Sequence, residues 1–343
     1  MKKGEPNQGY KTLKQEINTE NLRTHYLLWG EEDYLREFYL GKMRDQILPA
    51  GLEELNYFRF DGKGTDIDAL EVAIDTLPAF SPKKFIEIRD FDFYKAAAEK
   101  RDRLDAILAD VPDYCCIAFL FSDPGFKPDG RMKIHRHFKD AGLSVEFLKQ
   151  AESDLIAWIG RRFAAMGKTI DRSTAEYLIF FCGGLMTGLI GEIEKIGAYA
   201  KGQAVTQADI DAVATPILDA VVWKFTDALG QRDWDSATKI VGELFLMREA
   251  PIMILAATGK QLRQLFSARL AVDAGKDAHY LKSLWGMRHD YPARLLYNNA
   301  RKFSFPWLRR AVLLAAETDL KIKSTGQSGE ALLKDLLIRL AAS

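Results

Sequence analysis

With 343 residues, the chain is longer than one ordinary domain, and its 48% apolar and 28% charged residues exclude a disordered or fibrous protein. The formal net charge of zero argues against a uniformly basic nucleic-acid binder, although residues 217–343 carry 19 Lys and Arg against 13 Asp and Glu. No apolar run approaches the ~18 residues of a membrane span and no signal-like segment opens the chain, so we expect a cytoplasmic protein.

The first third of the chain alternates strand-like and helix-like segments. An apolar run at 26–29 ends at Gly30, and apolar residues at helical spacing follow over 33–47. The remaining predictions here are strands at 56–60, 84–89, 115–121 and 145–147, and helices at 66–76 and 104–109. Such alternation predicts an α/β domain with a parallel sheet and helices on both faces.

Beyond residue 150 the apolar spacing is helical throughout. The predicted helices are 154–166, 173–182, 187–199, a short one opening at Thr206, then 217–229, 234–247, 251–271, 291–302, 305–323 and 331–341. We therefore expect four regions: an N-terminal extension at 1–20, an α/β domain at 21–149, a small helical domain at 150–214 and an all-α bundle at 215–343.

The loop after the first strand is where such an α/β domain could hold a phosphate, because backbone amides and a helix N-terminus meet there. A nucleotide-binding loop reads G-x-x-x-x-G-K-[ST]. Here Gly30 is followed by Glu31, Glu32 and Asp33, without a Lys or a second Gly. Three carboxylates repel polyphosphate, so we expect no ATP hydrolysis, no catalytic residue and no cofactor. An active ATPase with an unusual loop is the alternative.

Three other patterns have structural explanations. The Gly-Lys-Thr at 167–169 follows a helix rather than a strand and is typical of a helix stop. His135 and His137, two residues apart, point in different directions on a helix and lack further ligands at metal spacing, so we expect surface or interface histidines and no metal site. Cys115 and Cys116 lie in an apolar strand, which predicts core positions.

The segment 76–84 differs from an ordinary polar loop. It places Leu77 and Phe80 beside two prolines, which stiffen the backbone. Apolar side chains on a rigid loop suit insertion into the pocket of a partner, because little ordering entropy is lost on docking. Alternatively, both side chains cover the core of their own domain. Lys83 and Lys84 would help to orient an acidic partner surface.

Taken in order, several segments resemble the delta subunit family of the bacterial DNA polymerase III clamp loader. The resemblance runs from about residue 26 to residue 341, and it depends on the order and spacing of the segments. These segments are Tyr26-Leu-Leu-Trp-Gly-Glu-Glu-Asp-Tyr-Leu, Leu77-Pro-Ala-Phe-Ser-Pro-Lys-Lys-Phe, Leu155-Ile-Ala-Trp-Ile with Gly167-Lys-Thr-Ile, Gly191-Glu-Ile-Glu-Lys-Ile, Phe225-Thr-Asp-Ala-Leu, and Ala315-Ala-Glu-Thr-Asp-Leu-Lys-Ile-Lys-Ser-Thr-Gly leading into Leu332-Leu.

The resemblance implies an AAA+-like domain without a functional nucleotide loop, a small helical lid domain and a C-terminal helical collar domain. It further implies that Leu77, Pro78 and Phe80 enter a hydrophobic pocket of the ring-shaped sliding clamp (beta). The collar would join the ATP-hydrolysing subunits and delta prime, with primed DNA inside the assembled loader and no membrane contact. By this resemblance the chain acts in DNA replication, within the nucleotidyltransferase complex of the DNA polymerase III holoenzyme, and helps to open the clamp.

A helical DNA-binding scaffold is a further alternative. It would use the basic C-terminal bundle, with Arg301, Lys302, Arg309 and Arg310 on phosphates. The competing explanation is a solvated helix face. A steep salt dependence of DNA affinity without loader partners would favour the scaffold.

Overall fold

The computed structural model of the protein describes residues 8–62, 64–287 and 290–342. The chain divides into two compact units. The first contains Met1–Gln150 and Leu185–Thr187, and the second contains Ala151–Gly184 and Gly188–Ser343. The predicted small helical domain and the predicted bundle both lie largely in the second unit.

A five-stranded parallel sheet forms the centre of the first unit. Its strands are β1 (His25–Trp29), β2 (Tyr57–Asp61), β3 (Lys84–Arg89), β4 (Cys115–Leu120) and β5 (Leu143–Glu146). They are ordered β2-β3-β4-β1-β5, and every neighbouring pair is parallel. Every residue of β4 is buried, because this central strand is covered on both faces. The predicted α/β class is confirmed.

In the described part of the first unit, six helices are present. They are α1 (Gln8–Asn18), α2 (Asp33–Ile47), α3 (Glu53–Asn56), α4 (Ile67–Asp75), α5 (Ala98–Ala109) and α6 (His137–Asp140), the last preceded by a 3-10 turn at Lys133–Arg136. The helix α1 lies within the predicted N-terminal extension, of which residues 1–7 are outside the described part. Its Leu13 is fully buried, and its Glu16 accepts hydrogen bonds from Arg23 at 2.6 Å and from the Tyr26 hydroxyl at 2.8 Å.

The two histidines of the His-x-His pattern have separate structural partners. His135 is buried, and its Nδ1 lies 2.7 Å from the hydroxyl oxygen of Tyr94. The Nε2 of His137 lies 2.9 Å from a carboxylate oxygen of Asp105. The expectation of surface or interface histidines is therefore wrong for His135, because the 3-10 turn packs its ring against the aromatic core around Phe138.

The second unit begins with four helices and a short two-stranded parallel ribbon. These elements are α7 (Glu152–Ala165), β6 (Thr169–Ile170), α8 (Arg172–Cys182), α9 (Met186–Tyr199), β7 (Ala204–Val205) and α10 (Gln207–Val213). The first two residues of α9 are grouped with the first unit. Gly167 has φ +71° after α7, and the Nζ of Lys168 donates to the carbonyl of Gly202 at 2.8 Å. The Gly-Lys-Thr segment is thus a helix stop, as predicted, and the ribbon that follows it was not predicted.

Seven further helices follow among the described residues of the second unit. They are α11 (Leu218–Gln231), α12 (Trp234–Leu246), α13 (Pro251–Asp273), α14 (Ala278–Leu284), α15 (Asp290–Ala300), α16 (Phe305–Ser324) and α17 (Gly329–Ala342). The long helix α13 packs against α11, α15, α16 and α17, so it forms the centre of this bundle. All but α14 are predicted by the apolar spacing.

A membrane-spanning helix needs about 18 or more predominantly apolar residues. Within the described ranges, no single helix is long and apolar enough to cross a membrane. The helices α8 and α9 meet these criteria only when they are taken together as a bent pair.

Candidate partner-binding site

The α4–β3 loop, residues 76–83, presents two large apolar side chains to solvent. Leu77 is 71% exposed and Phe80 is 90% exposed, while Pro78 between them is partly buried. Full burial of such a side chain stabilises a folded protein by about 1.5–3 kcal/mol. Because both side chains are mostly exposed, folding of this chain gains only a small part of that free energy. The alternative that Leu77 and Phe80 cover the core of their own domain is therefore wrong.

Two further exposed apolar side chains belong to the elements beside this loop. Val72 on α4 is 66% exposed and Leu55 on α3 is 51% exposed. The loop follows α4 directly, and α3 contacts the loop through Asn56. Apolar side chains clustered at one end of a soluble domain are typical of an interaction surface.

Asn56 holds the middle of the loop. Its side chain is fully buried, its Oδ1 accepts from the backbone amide of Ala79 at 2.8 Å, and its Nδ2 donates to the carbonyl of Ala79 at 2.9 Å. The same Nδ2 donates to the carbonyl of Leu52 at 3.2 Å. Directly after Ala79, Phe80 has φ +53°, a left-handed backbone conformation that residues other than Gly rarely adopt.

Lys84 holds the start of the loop. It is fully buried, and its Nζ donates to the carbonyl of Ile74 at 2.8 Å and also to those of Ala73 and Thr76. The ammonium lies 5.1 Å from the centroid of the Tyr114 ring. These carbonyls end α4 and have no partners within the helix, so a cation is favourable there.

The prediction that Lys84 orients an acidic partner surface is wrong, because its charge is enclosed by the end of α4. Burial lowers the pKa of Lys84. Lys83 is partly exposed, and its proposed contact with a partner stays a prediction.

The loop between β1 and α2 is occupied by side chains of its own unit. Gly30 has φ +122°, and a Cβ at this position would lie 2.5 Å from the carbonyl oxygen of Phe147, so the backbone approach requires Gly. Arg36 is buried on α2, where its Nη1 donates to the carbonyl of Gly30 at 2.9 Å and its Nη2 contacts the carboxylate of Asp33. The guanidinium cation of Arg36 is thus bound within this loop.

Glu32, the residue before α2, is fully buried. Its Oε1 accepts a hydrogen bond from the backbone amide of Met186 at 3.0 Å, and its Oε2 has no hydrogen-bond partner among the described residues. Burial, reinforced by the nearby charge of Asp33, raises the pKa of Glu32 to about 7, against the opposing effects of the Met186 amide and of Lys149. An external anion at the start of α2 would therefore meet a carboxyl group already held there.

The four basic residues of the predicted DNA contact are exposed, two of them after α15 and two of them on α16. Arg301 and Lys302 follow the end of α15, and Arg309 and Arg310 lie in the first half of α16. Lys302 forms an ion pair with Asp227 at 2.5 Å. The contact with DNA stays a prediction, and the ion pair reduces the contribution that Lys302 can make to it.

Comparison with known proteins places the chain in a family. Residues 26–148 match the family model described as DNA polymerase III, delta subunit, and residues 219–340 match the model of the C-terminal domain of the DNA polymerase III delta subunit. The chain therefore belongs to the DNA polymerase III delta subunit family, as the resemblance of its sequence segments predicted.

Individual relatives span nearly the whole chain. It is 20% identical over 319 residues to DNA polymerase III subunit delta of Bacillus subtilis (strain 168), covering 91% of each chain. It is 22% identical over 329 residues to the probable DNA polymerase III subunit delta of Aquifex aeolicus (strain VF5), covering 91% of this chain and 89% of that one. The solved structure of the Bacillus subtilis DNA clamp loader delta protein is similar, with a TM-score of 0.54, 19% identity, and coverage of 97% and 99%. This likeness shows a common fold.

Proposed function

We propose that this protein binds a sliding clamp and helps to open it as the delta subunit of a replicative clamp loader. The observation that carries the proposal is the exposure of Leu77 and Phe80 on the α4–β3 loop of a member of the delta family. A hydrophobic pocket on the clamp would bury both side chains. Large apolar side chains that enter a pocket together commonly dominate the free energy of an interface.

Clamp opening is proposed to be differential binding. A loop that binds the open form of the clamp better than the closed form shifts the equilibrium toward opening without any chemical step in this chain. The shift cannot exceed the difference between the two binding free energies. Release of the clamp then requires free energy from elsewhere, and we assign it to ATP bound by other subunits of the loader.

The chain itself is proposed not to hydrolyse ATP. Support comes from the loop after β1, where the carboxyl group of Glu32 and the guanidinium of Arg36 are both buried at the start of α2. Phosphate-binding loops instead direct free backbone amides and a Lys at the phosphates. Glu31, Glu32 and Asp33 would place negative groups beside a polyphosphate.

The C-terminal helical bundle, residues 215–343, is proposed to join the ATP-hydrolysing subunits and delta prime. Support comes from Leu313 and Leu320, exposed apolar residues seven positions apart on α16 and thus on one helix face. Contact with primed DNA inside the assembled loader is proposed for the exposed Arg301, Arg309 and Arg310 and, less strongly, for the paired Lys302.

Calorimetry with the purified cognate clamp tests the proposal. We expect the double substitution Leu77→Ala plus Phe80→Ala to weaken clamp binding by at least about a hundredfold, since each interface side chain of this kind contributes on the order of 2 kcal/mol. The matched control is Leu246→Ala plus Leu320→Ala, which removes two exposed leucines from the second unit. Unchanged affinity of the loop variant would remove the proposed site.

A further inference from the structure

We propose that Asn56 and Lys84 are positioning residues, which hold the α4–β3 loop in its binding conformation before the clamp arrives. The inference rests on the proposed function, because it assigns a role in clamp binding to two residues that the clamp would not touch. Both side chains are fully buried, whereas Leu77 and Phe80 are exposed. Asn56 and Lys84 would therefore affect clamp affinity through the backbone of the loop.

Asn56 fixes the backbone between the two exposed side chains. Its amide group makes two hydrogen bonds to the same residue, Ala79, one to the backbone N–H and one to the carbonyl. These two hydrogen bonds have the pattern that a residue of a neighbouring strand would make, and they fix the orientation of both peptide groups of Ala79. The left-handed conformation of Phe80, which follows directly, costs on the order of 1–3 kcal/mol and persists only where the surroundings enforce it.

Lys84 fixes the two ends of the loop to each other. It is the first residue of β3, directly after the loop, and its ammonium contacts the carbonyl of Thr76, the first residue of the loop. The bonds to Ala73 and Ile74 join the same ammonium to the last turn of α4. Charge-assisted hydrogen bonds of this kind are about twice as strong as neutral ones. The rings of Phe58 and Tyr114 lie 5.9 and 5.1 Å from the ammonium.

Preorganisation explains why such a loop would need these two residues. Ordering a free backbone costs on the order of 1–2 kcal/mol per residue, and a partner that meets a disordered loop must supply this free energy on binding. The apparent affinity falls in proportion to the fraction of molecules whose loop has the binding conformation. Loss of either anchor would lower this fraction while leaving Leu77 and Phe80 in the sequence.

Clamp calorimetry on Asn56→Ala and Lys84→Met tests the inference. We expect each variant to bind the clamp about tenfold more weakly, since about a tenth of the molecules would keep the binding conformation. Lys84→Arg, which keeps a buried cationic donor, should restore part of the lost affinity. The matched control is Asn299→Ala, because the amide group of this buried Asn on α15 has no hydrogen-bond partner within the described ranges. It should bind the clamp as the unaltered chain does.

Two readouts separate positioning from a general loss of stability. In a double-mutant cycle, Asn56→Ala should weaken binding less in a Phe80→Ala background than in the unaltered chain, because its effect acts through Phe80. Hydrogen exchange at the amide of Ala79 should accelerate in Asn56→Ala, while exchange in β4 stays slow. If Asn56→Ala does not fold, Asn56→Asp serves, because it keeps the acceptor for the Ala79 amide, loses the donor and places a carboxylate oxygen against the Ala79 carbonyl.

The outcomes distinguish this inference from the proposed function. Unchanged clamp affinity of Leu77→Ala plus Phe80→Ala would overturn the proposed function itself. Weakened binding by that variant, combined with unaltered affinity of folded Asn56→Ala and Lys84→Met, would overturn the positioning roles alone. Equal effects of Asn56→Ala in both backgrounds would also overturn them, because the residue would then act independently of Phe80.

Discussion

Two ionisable side chains, Glu32 and Arg36, are buried one helical turn apart at the start of α2. The guanidinium of Arg36 has the carbonyl of Gly30 and the carboxylate of Asp33 as partners. Glu32 accepts a hydrogen bond from the amide of Met186 on Oε1, while Oε2 has no partner in the part of the chain that the structure describes. A buried carboxylate that is incompletely compensated favours its protonated form, which is why the pKa of Glu32 rises to about 7.

We expect Glu32→Gln to stabilise the folded chain near pH 8 and to stabilise it much less near pH 5. The folded-state pKa of about 7 lies above the ordinary value of 4.5, so the folded protein binds more protons than the unfolded chain between these values. The free energy of unfolding therefore falls as the pH rises through this window, by at most about 3 kcal/mol. Gln carries no charge but can still accept the hydrogen bond from Met186.

Urea unfolding at both pH values measures this difference. Glu31→Gln is the control, since Glu31 is partly exposed and forms a surface ion pair with Lys149 at 3.0 Å, whose contribution is small. Equal stabilisation by Glu32→Gln at the two pH values would contradict the pKa shift.

The helix α4 and the strand β3 stabilise each other through Lys84. The last turn of α4 has its carbonyls bound by Lys84 of β3, and β3 itself pairs with β2 and β4 in the middle of the sheet. The start of the α4–β3 loop is therefore fixed to one of the most protected parts of the unit. The middle of the loop is held by a third element, α3, through the hydrogen bonds of Asn56 to Ala79.

The sequence predicted the elements with strong periodicity and missed those that depend on few residues. The run 115–120 is apolar at every position, and this pattern identified β4 as a buried strand. By contrast, α1 has apolar residues at helical spacing, Tyr10, Leu13 and Ile17, but they are only three in eleven residues, and this segment was predicted as an extension. The two-residue strands β6 and β7 are too short for any periodicity.

The candidate site was predictable only in part. Leu77 and Phe80 could be recognised because apolar residues beside prolines are unusual in a loop. The burial of Lys84 could not, because it depends on carbonyls eight to eleven positions earlier in the chain that only the folded structure brings to the ammonium. Asn56 gave no local signal for the same reason.

We expect Leu13→Ala to destabilise the first unit by about 2–4 kcal/mol, since it leaves a cavity where a fully buried leucine packs α1 onto the unit. Thermal unfolding measures the loss, and limited proteolysis after Lys14 should become faster. Lys11→Ala, an exposed position on the same helix, is the control. An unchanged unfolding temperature for Leu13→Ala would mean that α1 does not contribute to the folded unit.

The net charge of zero results from charged residues that are unevenly distributed along the chain. Residues 217–343 carry a net charge of +6, so residues 1–216 carry −6. The apolar loop lies in the acidic part of the chain and the exposed Arg309 and Arg310 in the basic part. This division agrees with the proposed contacts, in which the N-terminal part of the chain binds a protein and the C-terminal part binds phosphates.

We expect isothermal titration of the intact chain with ATP and magnesium to show no binding. The physical reason is the occupied start of α2, where Glu32 and Arg36 are buried and the loop segment 30–36 contains no Lys of the kind that a phosphate-binding loop supplies. An assembled loader, whose other subunits are proposed to bind ATP, is the positive control. Saturable heat from the isolated chain would support the alternative of an ATPase with an unusual loop.

The three cysteines make the chain suitable for selective labelling. Cys115 and Cys116 are buried in β4, and burial raises the pKa of Cys115 to about 11 and that of Cys182 to about 12, with a still larger rise for Cys116. The native thiols are therefore almost entirely protonated near neutral pH and react slowly with maleimides. A cysteine introduced at the exposed Val72 would take up a fluorophore almost alone, and its emission would report each docking event in real time.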